Sequence, residues 1–192
     1  NPGYTPAQDY DYAMTAECMD FLGISEHNHN QTGATLANYH LGVTQANDFS
    51  TAHPNFLALY GMEWGTIGSG GHVLIYGNGM DNLWGWESGA GPWGSSNNYD
   101  VYVNVGDYRT ATGLFKTTND NIATNTFASL AHPSANDFDG LDTAAAYDPV
   151  ADNAIVATAV ESGPSTSANT TYSNPAFSMG YLWYYEKLLS KG

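Results

Sequence analysis

The sequence predicts an α/β protein in which short buried strands alternate with amphipathic helices, and three observations carry that prediction. Apolar runs of four to seven residues recur along the chain, each too short for a helix and suited to a strand covered on both faces. Helix-compatible segments lie between these runs. Polar groups, above all His and Glu, stand beside the ends of the runs. Helix, strand, polar loop is one step of an α/β barrel or a doubly wound sheet.

Thr5 followed by Pro6 reads as an N-cap and first-turn pair, opening a helix to Met19 with Tyr10, Ala13, Met14 and Cys18 as its apolar positions. Phe21-Leu22-Gly23-Ile24 is the first strand and delivers Ser25-Glu26-His27-Asn28. Leu36 to Phe49 reads as a helix with Leu36, Tyr39, His40, Val43 and Ala46 near one face. Phe56 to Met62 is the next strand and ends on Glu63-Trp64; a glycine-rich link then leads to the strand His72 to Gly77. Residues 79–110, with Trp84, Trp86, Trp93 and many Gly, Asn and Ser, break the rhythm and read as one long loop insertion inside a single domain spanning 1–192. Its aromatic residues either cover a site or pack the loop onto the body; packing is the commoner use. Ala111 to Ile122 is the next predicted helix, and Thr126 to Ala131 a strand ending on His132-Pro133. An Asp-rich loop (Asp137, Asp139, Asp142) precedes the strand Ala154 to Val160, which ends on Glu161. A last helix begins at Ser173-Asn174-Pro175 and carries Phe177, Tyr181, Tyr184, Tyr185 and Leu188 on its apolar face.

Composition removes several function classes. With 4 Lys+Arg against 19 Asp+Glu the formal net charge is -15, so the chain repels nucleic acid and has no basic stripe to receive phosphates. Anionic membrane surfaces are disfavoured for the same reason, and no apolar run approaches the ~18 residues of a membrane span. Few Lys with abundant Asn, Thr, Gly and Tyr point to a secreted bacterial protein, extracellular or periplasmic. The single cysteine, Cys18, excludes an internal disulfide framework and is expected to be a buried, inert thiol. No Gly-x-Ser-x-Gly elbow or Walker-type lysine loop occurs. Gly68-Ser69-Gly70-Gly71 precedes a strand, so it lacks the helix terminus that would hold a phosphate.

What remains is positional chemistry. In α/β folds with parallel strands the functional groups gather at the carboxyl ends. Glu26 and His27, Glu63, His132 and Glu161 all stand at such ends, and His72 stands at the start of its strand. Imidazoles and carboxylates are the ligand set for Zn, Mn or Fe. Any one of these residues alone is more often a hydrogen-bonded structural group or a solvated rim charge. Their recurrence at strand after strand is what points to a metal site. His29, His40 and His53 sit off this pattern and receive no role.

These motifs, taken in order, resemble a known family. Ile24-Ser25-Glu26-His27-Asn28 is similar to the strand-end Thr/Ser-Asp-His-Asn motif of PHP-domain metallohydrolases, the polymerase and histidinol phosphatase superfamily. Gly61-Met62-Glu63-Trp64 with Gly71-His72-Val73-Leu74-Ile75 resembles its Gly-x-Glu and Gly-His pair, and Leu130-Ala131-His132-Pro133 its Ala-His-Pro motif. Val160-Glu161 resembles a later strand-end Glu, and the cadence from about Tyr4 to Gly192 is most similar to the CehA/McbA-like branch. The resemblance implies a distorted TIM-like (β/α)7 barrel with two or three divalent metal ions. It places His27, Glu63, His72 and His132 as metal ligands, with Glu63 bridging, and Glu161 as a catalytic proton carrier. Glu26 stands where Asp is usual. The family's opening His-x-His and closing Asp-x-His pairs are not in the chain, so the resemblance implies its central portion.

Two functions of different class follow. One is a metal-dependent hydrolase acting on a small-molecule phosphoester, or on another ester, amide or carbamate, through metal-activated water. The other is a non-catalytic secreted surface module that uses the Trp- and Tyr-rich loops for carbohydrate binding or self-association, with exposed strand edges as a route to assembly.

Overall fold

The structure, a computed structural model, describes residues 3–27, 36–66, 69–77, 82, 84–85, 101–104, 106–121, 125–159 and 175–191. Its elements run α1 (Pro6–Thr15), β1 (Phe21–His27), α2 (Leu36–Ala52), β2 (Leu57–Thr66), β3 (Ser69–Gly77), β4 (Trp84–Gly85), β5 (Val101–Tyr102), α3 (Leu114–Asp120), β6 (Thr126–Ala131), α4 (Asp137–Gly140), α5 (Pro149–Ala154), β7 (Ile155–Thr158) and α6 (Pro175–Leu189). Among the described residues no helix is long and apolar enough to cross a membrane.

Five strands form one mixed sheet in the order β1-β2-β3-β6-β7. β1 and β2 are parallel, as are β6 and β7, while β3 runs antiparallel to both of its neighbours. The α/β class therefore holds; among the described residues the sheet does not close into a barrel, and one strand is reversed. The reversal has a local cause. Residues 66–69 join β2 to β3 with Thr66 paired to Ser69, and so short a connection can only turn the chain back, because a parallel neighbour needs a crossover of a dozen residues or more.

Strand alternation divides the sheet into two unlike faces. Met62, Trp64, Val73, Ile75, Ala128 and Leu130 are all fully buried, and register places them side by side as Met62↔Ile75↔Ala128 and Trp64↔Val73↔Leu130. Against this face pack α1, α2, α3 and α5, contributing Tyr10, Tyr39, Val43, Leu114, Phe115 and Ala151 to one core. Each fully buried large side chain is worth ~1.5–3 kcal/mol, so this face holds the molecule together. The residues between them point the other way: His27, Glu63, Leu74 and Ser129 are register neighbours and are only half-buried. Chemistry is thereby confined to the less covered face.

The helices follow their sequence signals, with corrections. The Thr5 hydroxyl accepts from the Gln8 amide while Gln8 reaches back to the Thr5 amide, a reciprocal cap of ~1 kcal/mol. α1 ends at Thr15 rather than Met19, and Cys18, expected buried, is exposed with φ +54. The helix pattern runs out because Ala16 is already its C-cap and Met19 turns back to donate to the Ala13 carbonyl. α3 begins three residues later than predicted. The Thr110 and Thr112 hydroxyls bind Asp107, and such local bonds compete with helix formation. α5 occupies residues read as loop and strand start. Asp148 caps it, accepting from the Val150 and Ala151 amides, with Pro149 in the first turn. The 79–110 insertion contributes Trp84, Val103 and Tyr108 to the core, and the β4–β5 pair; Trp86 and Trp93 lie outside the described residues.

Candidate metal centre

Glu63 sits within β2, not beyond its end, because pairing with β3 carries the strand on to Thr66. Three imidazoles converge on its carboxylate. His72 Nδ1 lies 2.9 Å from Oε1, His132 Nε2 lies 3.2 Å from the same oxygen, and His27 Nε2 lies 3.1 Å from Oε2. Each arrives by a different geometric route. His27 ends β1 and is the direct register partner of Glu63 across a parallel pair. His72 belongs to reversed β3, and this explains how a residue at the start of its strand meets residues at the ends of others: antiparallel pairing brings the beginning of β3 to the carboxyl-end rim. His132 follows Ala131, which pairs with His72. One residue further along an ideal strand would face the helices, but His132 adopts φ +28, a departure from strand geometry that brings its ring to 4.8 Å from that of His72.

Small residues make the convergence possible. A Cβ at Gly65 would sit 2.2 Å from His72 Cδ2, so only glycine leaves room for this imidazole beside β2. Glu63 and His72 are the inner pair, with 15% and 19% of their side chains exposed, while His27 and His132 stand at 44% and 42%. A ligand would therefore reach the centre from the His27–His132 side.

The electrostatics fit a cation. Hydrogen bonds from His132 and then His72 hold the Glu63 carboxyl far below the usual carboxylate range, reinforced by the charges of His27 and His72 and opposed by burial. A half-buried carboxylate facing three imidazoles can be satisfied by their ring N–H donors and can equally accept a cation. The donor atoms of Glu63, His72 and His132 all lie within 4.8 Å of one another, close to the ~4.2 Å that one ion with ~2.1 Å bonds can bridge. Mixed nitrogen and oxygen donors suit Zn, Mn or Fe. The residues present thus fit a divalent metal.

The structure brings together all four residues read from sequence as metal ligands. Glu161, read as the proton carrier, lies outside the described residues, as does His29. His40 is on α2 and His53 follows it, away from the cluster. Sequence reading passed over Gly65 and Asp137. Asp137 lies on the loop after His132 and feels the charges of His132 and His72; burial, the largest influence, raises its carboxyl pKa against those charges and the Ser134 amide. Nothing in the sequence separates it from Asp139 and Asp142. A cavity of about 330 Å³ between α5, β7 and α6, lined by Leu141, Tyr147, Val156, Tyr185 and Leu188, includes none of the four converging residues. Compared with protein-family models, curated proteins and solved structures, the chain finds no match.

Proposed function

We propose that this chain carries the metal centre of a hydrolase of the PHP kind, acting on a small-molecule phosphoester or on another ester, amide or carbamate. The observation that supports it is the single carboxylate, Glu63, approached within 3.2 Å by imidazoles from three other segments of the sheet. In this reading the sheet is an arc of a distorted barrel wall, and the reversed β3 is part of its rim. Glu63, His72 and His132 would hold one divalent ion, and Glu63 with His27 would offer donors to a second.

When bound, the metal supplies Lewis acidity and a water acidified toward ~7. The chain's own residues position and exclude. His72 and Glu63 are fixed by their strands and by the space at Gly65, so the donor set is in place before any ligand arrives. The more exposed His27 and His132 flank the approach. Glu161 is the proposed proton carrier, on the resemblance of Val160-Glu161 alone.

Elemental analysis of the purified full chain, with turnover of bis(p-nitrophenyl) phosphate and p-nitrophenyl acetate before and after chelation, tests this. The expected result is at least one Zn, Mn or Fe per chain, with turnover that chelation abolishes and added metal restores. Bound metal without turnover of either would reject the hydrolase and leave the metal site standing. Neither metal nor turnover would reject both.

A further inference from the structure

The loop from His132 to Gly140 is the most strained segment described. His132, Asn136, Phe138 and Asp139 all take positive φ, at +28, +68, +55 and +56. Asn and Asp tolerate the left-handed region, but a Phe there is a genuine outlier, and such strain persists only where the surroundings over-determine it. They do so here. Phe138 is fully buried, its ring edge-on to Tyr108 at 5.5 Å and to Tyr184 at 5.9 Å. Asp139 Oδ2 accepts from the Tyr108 and Arg109 amides, and Arg109 Nη1 donates to the Asp139 carbonyl. Asn136 donates its amide to Asp142 Oδ1.

The loop so fixed sets Asp137 against the strand that carries His72. Gly71, with φ +86, has no room for a side chain: a Cβ would meet the Phe138 ring at 2.5 Å and Asp137 Cβ at 3.0 Å. The Asp137 carboxylate is oriented by the Ser134 amide, which donates to Oδ2 at 2.7 Å, and its carbonyl accepts from the Tyr184 hydroxyl at 3.3 Å. It therefore lies beside the residue preceding one proposed ligand and on the loop opened by another, within electrostatic reach of both imidazoles.

We propose that Asp137 is the positioning residue of the metal centre, an outer carboxylate that raises cation affinity without ligating. This rests on the metal-site reading above. Charge accounts for the need. One carboxylate and neutral imidazoles leave net positive charge on any bound dication, which a nearby fixed carboxylate offsets. Groups of this kind around a metal typically govern 10–100-fold of its affinity. Asp137 stands apart from the Glu63–His72–His132 donor set, which closes without it.

The test is Co²⁺ titration of the full chain, read by its visible absorption, with Asp137→Asn, Asp137→Glu and His132→Ala beside the wild type. Asp137→Asn is expected to weaken Co²⁺ about 10–100-fold while keeping the band positions of the wild-type complex, because the ligand set is unchanged. Asp137→Glu is expected to recover most of that loss, and His132→Ala to alter the bands themselves. Affinity within twofold of wild type in Asp137→Asn would overturn the proposal, and so would shifted bands, which would make Asp137 a ligand. A loss of affinity that Asp137→Glu does not recover, accompanied by a lowered melting temperature of the metal-free protein, would overturn it in favour of a purely structural role. A wild-type chain that binds no Co²⁺ would fail earlier, at the metal-site reading itself.

Discussion

Two charged centres each draw a residue from the strained loop, His132 in one and Asp139 in the other, and they are built on opposite principles. Around Arg109, a permanent cation bonds Asp148 Oδ2 at 2.8 Å and the Asp139 carbonyl at 3.0 Å, while backbone amides complete both carboxylates. Burial works against the Asp148 carboxylate, but the Ala151 amide, Arg109 and the Val150 amide outweigh it and lower its pKa. Both carboxylates and the guanidinium there find hydrogen-bond partners within the chain itself. Around Glu63 the partners are three imidazoles, which are cations only when protonated. The first centre is complete as folded and serves structure. The second offers its donors to ring protons or to a cation, and is the centre proposed to bind metal. Counting charges would not separate them; the chemistry of the partners does.

That contrast can be broken or sharpened by measurement. The largest effect is expected in the loop that joins them: Phe138→Ala removes a fully buried ring from between Tyr108 and Tyr184 and should cost about 3–5 kcal/mol in urea unfolding. A cost under about 1 kcal/mol would show that the loop does not depend on this plug. Next, Glu63→Gln keeps the size of the side chain but removes the charge all three imidazoles face. It should weaken Zn²⁺ by at least about 100-fold in competition with a chelating dye, since metal binding needs a deprotonated ligand. Unchanged affinity would move the site elsewhere.

Arg109→Met should cost about 1–3 kcal/mol, since Asp148 and the Asp139 carbonyl lose a charged donor in a three-quarters-buried setting. Chelators should leave that difference untouched, which would confirm the independence of the two centres. Acid provides a finer probe. The folded Glu63 carboxyl is held below its unfolded value near ~4.3, so the stability it contributes is complete above that pH and disappears as pH falls toward the lowered folded value. In metal-free protein, Glu63→Gln should therefore flatten the decline of the urea midpoint below pH ~4.3; an unchanged decline would count against the histidine contacts. The smallest effect belongs to the exposed Lys116–Asp120 pair on α3. Lys116→Ala should change stability by less than about 0.5 kcal/mol.

Some features of the molecule were legible residue by residue. Thr5-Pro6 announced α1, and the run Thr126 to Ala131 marked β6 with its bounds intact. The start of α5 at Asp148-Pro149 was not read from the sequence, and Ala154 was absorbed into the following apolar run. Cys18 misled because a helical pattern continued past the point where the backbone turns. The four residues now clustered around one carboxylate were legible as residue types recurring beside apolar runs. Their distances were not, and neither was Asp137, which differs from its neighbouring aspartates only in where a left-handed loop carries it.

By itself, then, the sequence determined the alternation of helices and short strands, the apolar positions of the helices, and the inventory of His and Glu beside the strands. These depend on local periodicity and on hydrophobic burial, which short windows of sequence encode directly. Only the tertiary structure decided that β3 runs against its neighbours and that His72 consequently shares a rim with Glu63 and His132. Strand direction and long-range register depend on how the chain turns between elements and on which edges meet, and no short window contains both partners of such a contact.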